Sequence, residues 1–306
     1  MRLGFNLPQI GSVASPEAIA RVAKAAEDAG YEGLWTTDRL LYPANPRTPY
    51  AGTPDGSLPA PYRRVIDPLD ALTWAGAATK KIGLGTSVLD MPFYNPVTLG
   101  RRLTSIDVLS GGRLRVGFGQ GWSEDEFEAA GIDHKTRGRR ADELMQVLHA
   151  MWKDSPAEFS GKHYKLPKTH FDLRPVQQPH PPVYFAAFAP ASMKRIAEYG
   201  DGWLPVAIPP AAMRQIWDDI LQTAKDAGRD TRKMEFIVRA NIELKDEPLG
   251  ASRRPFTGSL DEIRSDIAAS RDIGAVEVHF DPSFEEAGKN VEGYLERLEQ
   301  MRELAG

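Results

Sequence analysis

The sequence predicts an α/β fold: a single (β/α)8 TIM barrel spanning residues 1–306, with insertions after the second and fourth strands. Three observations lead there. Short apolar runs of strand length alternate with amphipathic stretches of helix length, the alternation repeats eight times, and 306 residues suit one barrel domain. Eight such units close on themselves more readily than they extend an open doubly wound sheet, which needs a switch point and fewer strands.

In chain order the predicted strands are Leu3–Leu7, Gly33–Thr36, Ile82–Thr86, Leu114–Phe118, Val183–Ala186, Gly202–Pro205, Phe236–Ala240 and Ala275–Phe280, each leading into a helical stretch. Helix ends are punctuated. Ser15-Pro16-Glu17-Ala18 sets a serine cap before proline at the first helical position, and Gly30 stops that helix. Asn95-Pro96 opens the third helix, Ser259-Leu260-Asp261-Glu262 opens the seventh of the alternation, and Gly228 and Gly274 follow two helical runs. The mixed charges of Lys24, Glu27 and Glu292–Glu303 read as solvated helix faces.

Two connections exceed simple turns, and barrel insertions usually belong to the active-site face. The first, Arg39–Ile66, carries Pro43, Pro46, Pro49, Pro54, Pro59 and Pro61 with Tyr42, Tyr50 and Tyr62, so it is stiff, irregular and furnished to line or cover a pocket. The second, Gln120–Pro182, holds a helix around Asp142–Trp152 and a small hairpin about Ser160-Gly161, for which surface decoration is an equal reading.

Composition narrows the chemistry. With 38 Lys+Arg against 42 Asp+Glu, a net charge of −4 and no basic stripe, nucleic acid is not an expected partner. The absence of cysteine removes disulfides, thiolate nucleophiles, iron–sulfur clusters and cysteine zinc sites. The start Met1-Arg2-Leu3-Gly4-Phe5 is a strand pattern without signal-peptide features, and no run reaches the roughly 18 apolar residues of a membrane span, so a soluble, cytoplasmic protein is expected.

Two segments stand out. Ile82-Gly83-Leu84-Gly85-Thr86-Ser87-Val88-Leu89, followed by Pro92-Phe93-Tyr94-Asn95-Pro96, runs from a strand through a polar turn into a capped helix, its small residues leaving room for a flat ring. Thr-Ser-Val is also a common strand ending. Gly112-Arg113-Leu114-Arg115-Val116-Gly117-Phe118-Gly119-Gln120-Gly121-Trp122 ends in three alternate glycines that permit positive φ and close approach of a ligand, or equally of the barrel's own neighbours. It matches neither the dinucleotide fingerprint nor the P-loop.

Taken in order, these motifs resemble the luciferase-like monooxygenases. The likeness runs from Leu3 to the last helix and includes Tyr31-Glu32-Gly33-Leu34-Trp35-Thr36-Thr37-Asp38, Arg137-Gly138-Arg139-Arg140, Tyr199-Gly200-Asp201-Gly202-Trp203 and Ile273-Gly274-Ala275-Val276. The resemblance implies a barrel whose strand ends bind a small-molecule substrate beside FMN or the deazaflavin coenzyme F420. The third-strand motif is more similar to the F420-dependent branch. By the same resemblance Asp38 contacts the ring, Ser87 and Val88 form a bulge behind it through a cis peptide, and Gly119, Gln120, Gly121 and Trp122 lie beside its edge. Ala187, Phe188 and Ala189, within Ala186–Ser192, bind the cofactor phosphate through backbone amides. Asp38 has other uses, capping a loop or pairing with Arg39. Two departures accompany the likeness: Ala187-Phe188 replaces two glycines, and Arg39 stands where many deazaflavin enzymes have histidine. Family analogy also implies a homodimer.

The other ionisable residues carry no competing signature. None of the six histidines has metal-site spacing, so no metal is expected; His134 and His279 are candidate pocket residues or ordinary polar ones, and His149 lies on a helix face. There is no nucleophile elbow and no compelling carboxylate pair, and the acidic run Ser123–Glu128 reads as a helix start. The expected activity is an F420-dependent oxidoreductase that moves a hydride to or from an organic substrate, with Trp122 and the Arg39–Ile66 aromatics shaping the pocket. Asp38 is the polar group best placed to orient or protonate, although no catalytic residue is assigned. The alternatives are an FMN monooxygenase using dioxygen and a nonenzymatic flavin-binding barrel.

Overall fold

The computed structural model describes residues 1–306. Eight strands, β1 (Arg2–Asn6), β2 (Gly33–Thr36), β3 (Gly83–Thr86), β4 (Leu114–Gly119), β5 (Val183–Phe185), β6 (Gly202–Trp203), β7 (Glu235–Asn241) and β8 (Glu277–Asp281), pair in parallel around a closed ring. The expected barrel is present, with every strand where the apolar runs placed it and ends shifted by no more than two residues. Around it lie α1 (Pro16–Asp28), α2 (Pro68–Ala78), α3 (Pro96–Ser110), α4 (Glu124–Ala129), α5 (Arg137–Lys153), α6 (Pro190–Tyr199), α7 (Pro210–Asp226), α8 (Leu260–Asp272) and α9 (Val291–Ala305). No helix is long and apolar enough to cross a membrane.

The caps act as their sequences suggest. Ser15 Oγ accepts from the Ala18 amide at 3.1 Å, Asn95 Oδ1 accepts from Val97 and Thr98, and Ser259 with Glu262 forms a reciprocal capping box. Each such cap is worth about 1 kcal/mol. Their larger effect is to fix where the chain leaves each strand end, and those exits build the mouth of the barrel.

Strand side chains alternate between two interiors. Leu34, Leu84, Val116, Phe118, Val278 and Phe280 face the helices and join a continuous apolar layer. The inner face is different: Trp35, Tyr184, Leu204 and Ile237 form a small apolar cluster among charged groups. Glu277, fully buried, accepts from Trp35 Nε1 at 2.8 Å and from Arg115 at 2.5 Å. The Arg115 guanidinium carbon lies 4.7 Å from the Trp35 ring centre, and His279 stacks on that ring at 4.8 Å.

Trp35 also explains a glycine. A Cβ on Gly85 would fall 2.4 Å from the indole, so the room left by small residues in the third strand is filled by a ring of the protein itself.

The two insertions separate. Residues 37–67 cross the C-terminal mouth, where Tyr62 and Leu58 pack with Ile10, Tyr50, Trp122 and Phe284, and the Gly52 carbonyl accepts from Arg254 at 2.8 Å. The second insertion is divided by α5, which begins at Arg137, five residues before the expected helix, because it continues directly from a 3-10 turn at His134–Thr136 and the polar Arg137–Arg140 stretch conceals that first turn. Only the part before α5 reaches the mouth. The hairpin Ala157–Ser160 with Lys165–Thr169 packs on the outside of α5 through Val147, Met151, Ala157 and Leu166. Its turn amides Lys162, His163 and Tyr164 donate to Glu143. It is surface decoration, not part of the active-site face.

Two substitutions test the inner face. Gly85→Ala should overpack the indole and cost about 1–3 kcal/mol, and Glu277→Gln, which strands Arg115 beside Trp35, should cost about 3 kcal/mol. Leu109→Ser, at a residue 75% exposed, should change stability by under about 0.5 kcal/mol. Urea unfolding of the three variants beside the parent checks the order; a Gly85→Ala barrel as stable as the parent would show that the indole can move aside.

Candidate active site

Two large depressions open at opposite ends of the barrel. The one at the strand N-termini, about 570 Å³, is lined by charged groups such as Arg2, Glu32, Arg113 and Glu235. Its charges already serve the fold: Arg2 pairs with Glu235 at 2.7 Å, and Arg113 donates to the carbonyls of Gly76, Thr79 and Ile82. The other, about 420 Å³, lies at the strand C-termini, where barrels of this type carry their chemistry. It draws on residues that follow five different strands and on Arg239 and Asn241 at the end of β7.

Its floor is backbone. Ser87 and Val88, joined by a cis peptide, follow β3; the Ser87 amide donates to the Thr36 carbonyl at 2.7 Å, and its carbonyl accepts from the Arg239 guanidinium. Arg239 also reaches Asp281 at 2.5 Å, Asn241 at 2.9 Å and Thr37 at 3.1 Å. One arginine therefore ties together the ends of β2, β3, β7 and β8. Asp281 is fully buried and the Arg239 side chain is 12% exposed; such a pair holds only because its hydrogen bonds are all made.

A carboxyl cluster forms one wall. Asp38 Oδ2 accepts from the Tyr94 hydroxyl at 2.8 Å and the Asp90 amide at 3.2 Å, so it caps the connection after β3 and does not pair with Arg39. Arg39 turns instead to Glu126 at 2.5 Å, and Glu126 also accepts from the Leu40 amide. The Arg39 guanidinium carbon lies 4.8 Å from the Trp122 ring centre. Burial pushes the Asp38 carboxyl up to about 6, against the pull of its two donors. Burial and the neighbouring Asp38 charge push Asp90 up to about 8.

Asp38, Ser87, Val88, Trp122 and Phe188 line this one cavity, Phe188 standing 55% exposed at its rim. The other residues singled out from the sequence stand behind it. A Cβ on Gly119 would lie 2.7 Å from both Asp90 and Val88, and Gly121, at φ 68°, donates its amide to Asp90 at 2.9 Å. The glycines thus seat Asp90, and of the three alternate glycines only Gly121 has positive φ. Gln120 accepts from the Ser192 hydroxyl at 2.6 Å, and the Ala187 carbonyl accepts from Trp203 at 3.0 Å. Ala189 precedes α6, whose first residue, Pro190, brings no amide. His134 packs edge-on against Phe127, and His279 lies within the barrel with Nδ1 3.0 Å from Asn6 Oδ1.

Sequence reading missed Asp90, Glu126, Arg239 and Asp281. Arg239 had a signal: it is a charge inside the otherwise apolar strand Phe236–Ala240. Glu126 had none, since four acids crowd Glu124–Glu128 and only this one is fully buried.

The family model described as luciferase-like monooxygenase matches residues 2–299. A putative coenzyme F420-dependent oxidoreductase of Mycobacterium tuberculosis is 27% identical over 271 residues, covering 82% of this chain and 69% of its own length. A monooxygenase from Streptomyces bottropensis superposes with a TM-score of 0.80 at 21% identity, over 99% of this chain and 98% of that one. Coenzyme F420-dependent tetrahydromethanopterin reductase from Methanopyrus kandleri superposes at 0.73 and 18% identity, over 98% and 97%. Identities this low between structures speak to the barrel alone. The match along nearly all of the sequence goes further: the chain belongs to the luciferase-like monooxygenase family of oxidoreductases.

Proposed function

We propose that this protein is a coenzyme F420-dependent oxidoreductase that moves a hydride between the deazaflavin and a small organic substrate. The observation that carries this reading is the convergence of Asp38, Ser87, Val88, Trp122 and Phe188 on one cavity at the strand C-termini. Its volume, about 420 Å³, falls in the roughly 300–1,000 Å³ range of small-molecule sites, and its lining mixes aromatic rings with a few fixed polar groups. The relative named as a putative coenzyme F420-dependent oxidoreductase favours the deazaflavin.

The residues present fit a planar cofactor ring better than its phosphate. Ser87 and Val88 offer a flat backbone surface held from behind by Arg239, and Trp122 and Tyr50, with ring centres 5.4 Å apart, offer an aromatic edge. The start of α6 offers fewer amides than a glycine-rich loop because Pro190 opens the helix. When bound, the deazaflavin supplies a two-electron hydride carrier without the dioxygen chemistry of a reduced flavin. The protein's own part is to bind, orient and exclude water. Arg39, paired with Glu126 and lying against Trp122, adds shape and charge to the wall.

Apo-protein titrated separately with F420 and FMN, followed by tryptophan fluorescence, tests the cofactor. Saturable quenching is expected with F420, and a Phe188→Ala variant should bind it about tenfold more weakly, about 1.4 kcal/mol, with unchanged melting. Anaerobic stopped-flow absorbance should then show reduced F420 reoxidised by an organic acceptor, or oxidised F420 reduced by an organic donor. Tighter binding of FMN, with substrate-dependent oxygen uptake, would overturn the assignment in favour of an FMN monooxygenase.

A further inference from the structure

The upper barrel holds more carboxyl groups than cations to balance them. Asp38 and Asp90 line the cavity, the charge of the fully buried Glu126 acts on both, and the cation among them, Arg39, is taken by Glu126. The other guanidinium of the cavity, Arg239, is held by Asp281, Asn241, Thr37 and the Ser87 carbonyl. The hydrogen bonds of Asp38 and Asp90 come from neutral groups only: the Tyr94 hydroxyl and the Asp90 amide for Asp38, the Gly121 amide for Asp90. Two carboxylates side by side without a counter-ion repel strongly in a partly buried site, and one of them retains a proton.

The donors decide which one. Asp38 Oδ2 receives two hydrogen bonds, one from a hydroxyl, and such donors favour the charged form. Asp90 receives a single amide on Oδ1. We propose that Asp90 is the catalytic acid of the cavity: a neutral carboxylic acid, seated by Gly119 and Gly121 and kept protonated by Asp38, that gives its proton to the substrate heteroatom. The proposal rests on the hydride-transfer reading above. As hydride reaches the carbon of a polarised double bond, the π pair moves to the heteroatom, which takes the Asp90 proton. The substrate gains a hydride, which carries the two electrons, and one proton; the reduced deazaflavin loses the hydride, and Asp90 is left as carboxylate to be reprotonated from solvent. Oxidation of the corresponding alcohol or amine runs the same steps backwards, with the Asp90 carboxylate as base. This assigns proton transfer to a carboxyl in a site whose nearby cation, Arg39, is engaged by Glu126.

The elevated values of Asp90 and Asp38 agree with a pair that shares one proton near neutrality. The groups facing Asp90 are Asp38 and Arg39 from the connection after β2, Glu126 from α4 and the Gly121 amide after β4, while Tyr94 and Asp67 act on it through Asp38. The sign for stability follows. The folded chain holds this proton to higher pH than the unfolded one, so its stabilising effect is complete below about pH 4 and is lost as pH rises towards about 8.

The test uses the full chain with Asp90→Asn, which keeps size and an acceptor for Gly121, and Asp38→Asn as a second variant. Apo-protein labelled at aspartate carboxyl carbons should show a carboxylic acid signal at pH 7 that titrates near pH 8, disappears in Asp90→Asn and titrates lower in Asp38→Asn. The decline of the melting temperature between pH 5 and pH 8 should flatten in Asp90→Asn. With F420 bound, Asp90→Asn should keep the dissociation constant within about twofold, slow hydride transfer by about a hundredfold or more and lose the pH dependence near 8. An apo-protein without that signal, or a variant that retains it, overturns the proposal whichever cofactor binds; failure of F420 to bind leaves the apo result standing and overturns only the cofactor reading. Full transfer rate with an unchanged pH profile in Asp90→Asn would reduce the residue to a support for the Gly121 turn.

Discussion

The barrel closes around one indole ring, and the placing of Trp35 constrains nearly everything above and below it. A ring of that size at the centre requires glycine opposite it at Gly85 and a polar partner for its own N–H, which Glu277 provides. Burying Glu277 in turn requires cations, and Arg115 and Arg2 supply them. His279 completes the stack, held neutral by burial and by the nearby Arg239 and Arg115. The level above therefore starts from a filled interior, and the cavity at the mouth has a floor instead of a shaft.

Two arginines divide the work at that mouth. Arg239 joins four strand ends and is saturated by its partners, so its charge is spent on geometry. Arg39 balances Glu126 and lies against Trp122 and Tyr62, so it organises the wall. Neither makes a hydrogen bond to Asp38 or Asp90. The unusual feature of the site is thus a scarcity of positive charge at one point, created by the full engagement of cations close by.

Most of the fold was legible because its signals are local. A strand of alternate apolar residues, a serine or asparagine before proline and a glycine after a helix each act within a few residues, and the structure kept them with small shifts. The site was legible only in part because its contacts are remote: 87 residues separate Arg39 from Glu126, and 152 separate Arg239 from Ser87. Glycines proved ambiguous for a physical reason. A missing side chain makes room without stating for what, and here Gly85 makes room for Trp35 and Gly119 for Asp90 and Val88. The split of the second insertion was hidden likewise, since α5 starts in a polar stretch resembling loop.

The 37–67 crossing is held firmly at its two ends, where Arg39 and the Leu40 amide engage the buried Glu126 and the Pro61 and Arg64 carbonyls accept from the Gly11 amide, and more loosely between them. Arg47 reaches Asp125 and Glu128 on the surface, Arg254 holds the Gly52 carbonyl, and Tyr62 rests against Phe284. Exposed ion pairs of this sort contribute little and weaken with salt. The exposed middle of the crossing, which carries Tyr50, therefore rests on weaker contacts than its two ends, whereas the floor and the carboxyl pair belong to the ends and exits of the strands. Shape selection by the middle of the crossing is consequently separable from proton handling at its start: the stretch about Tyr50 can vary to admit a different guest while Asp38 and Arg39 keep their places.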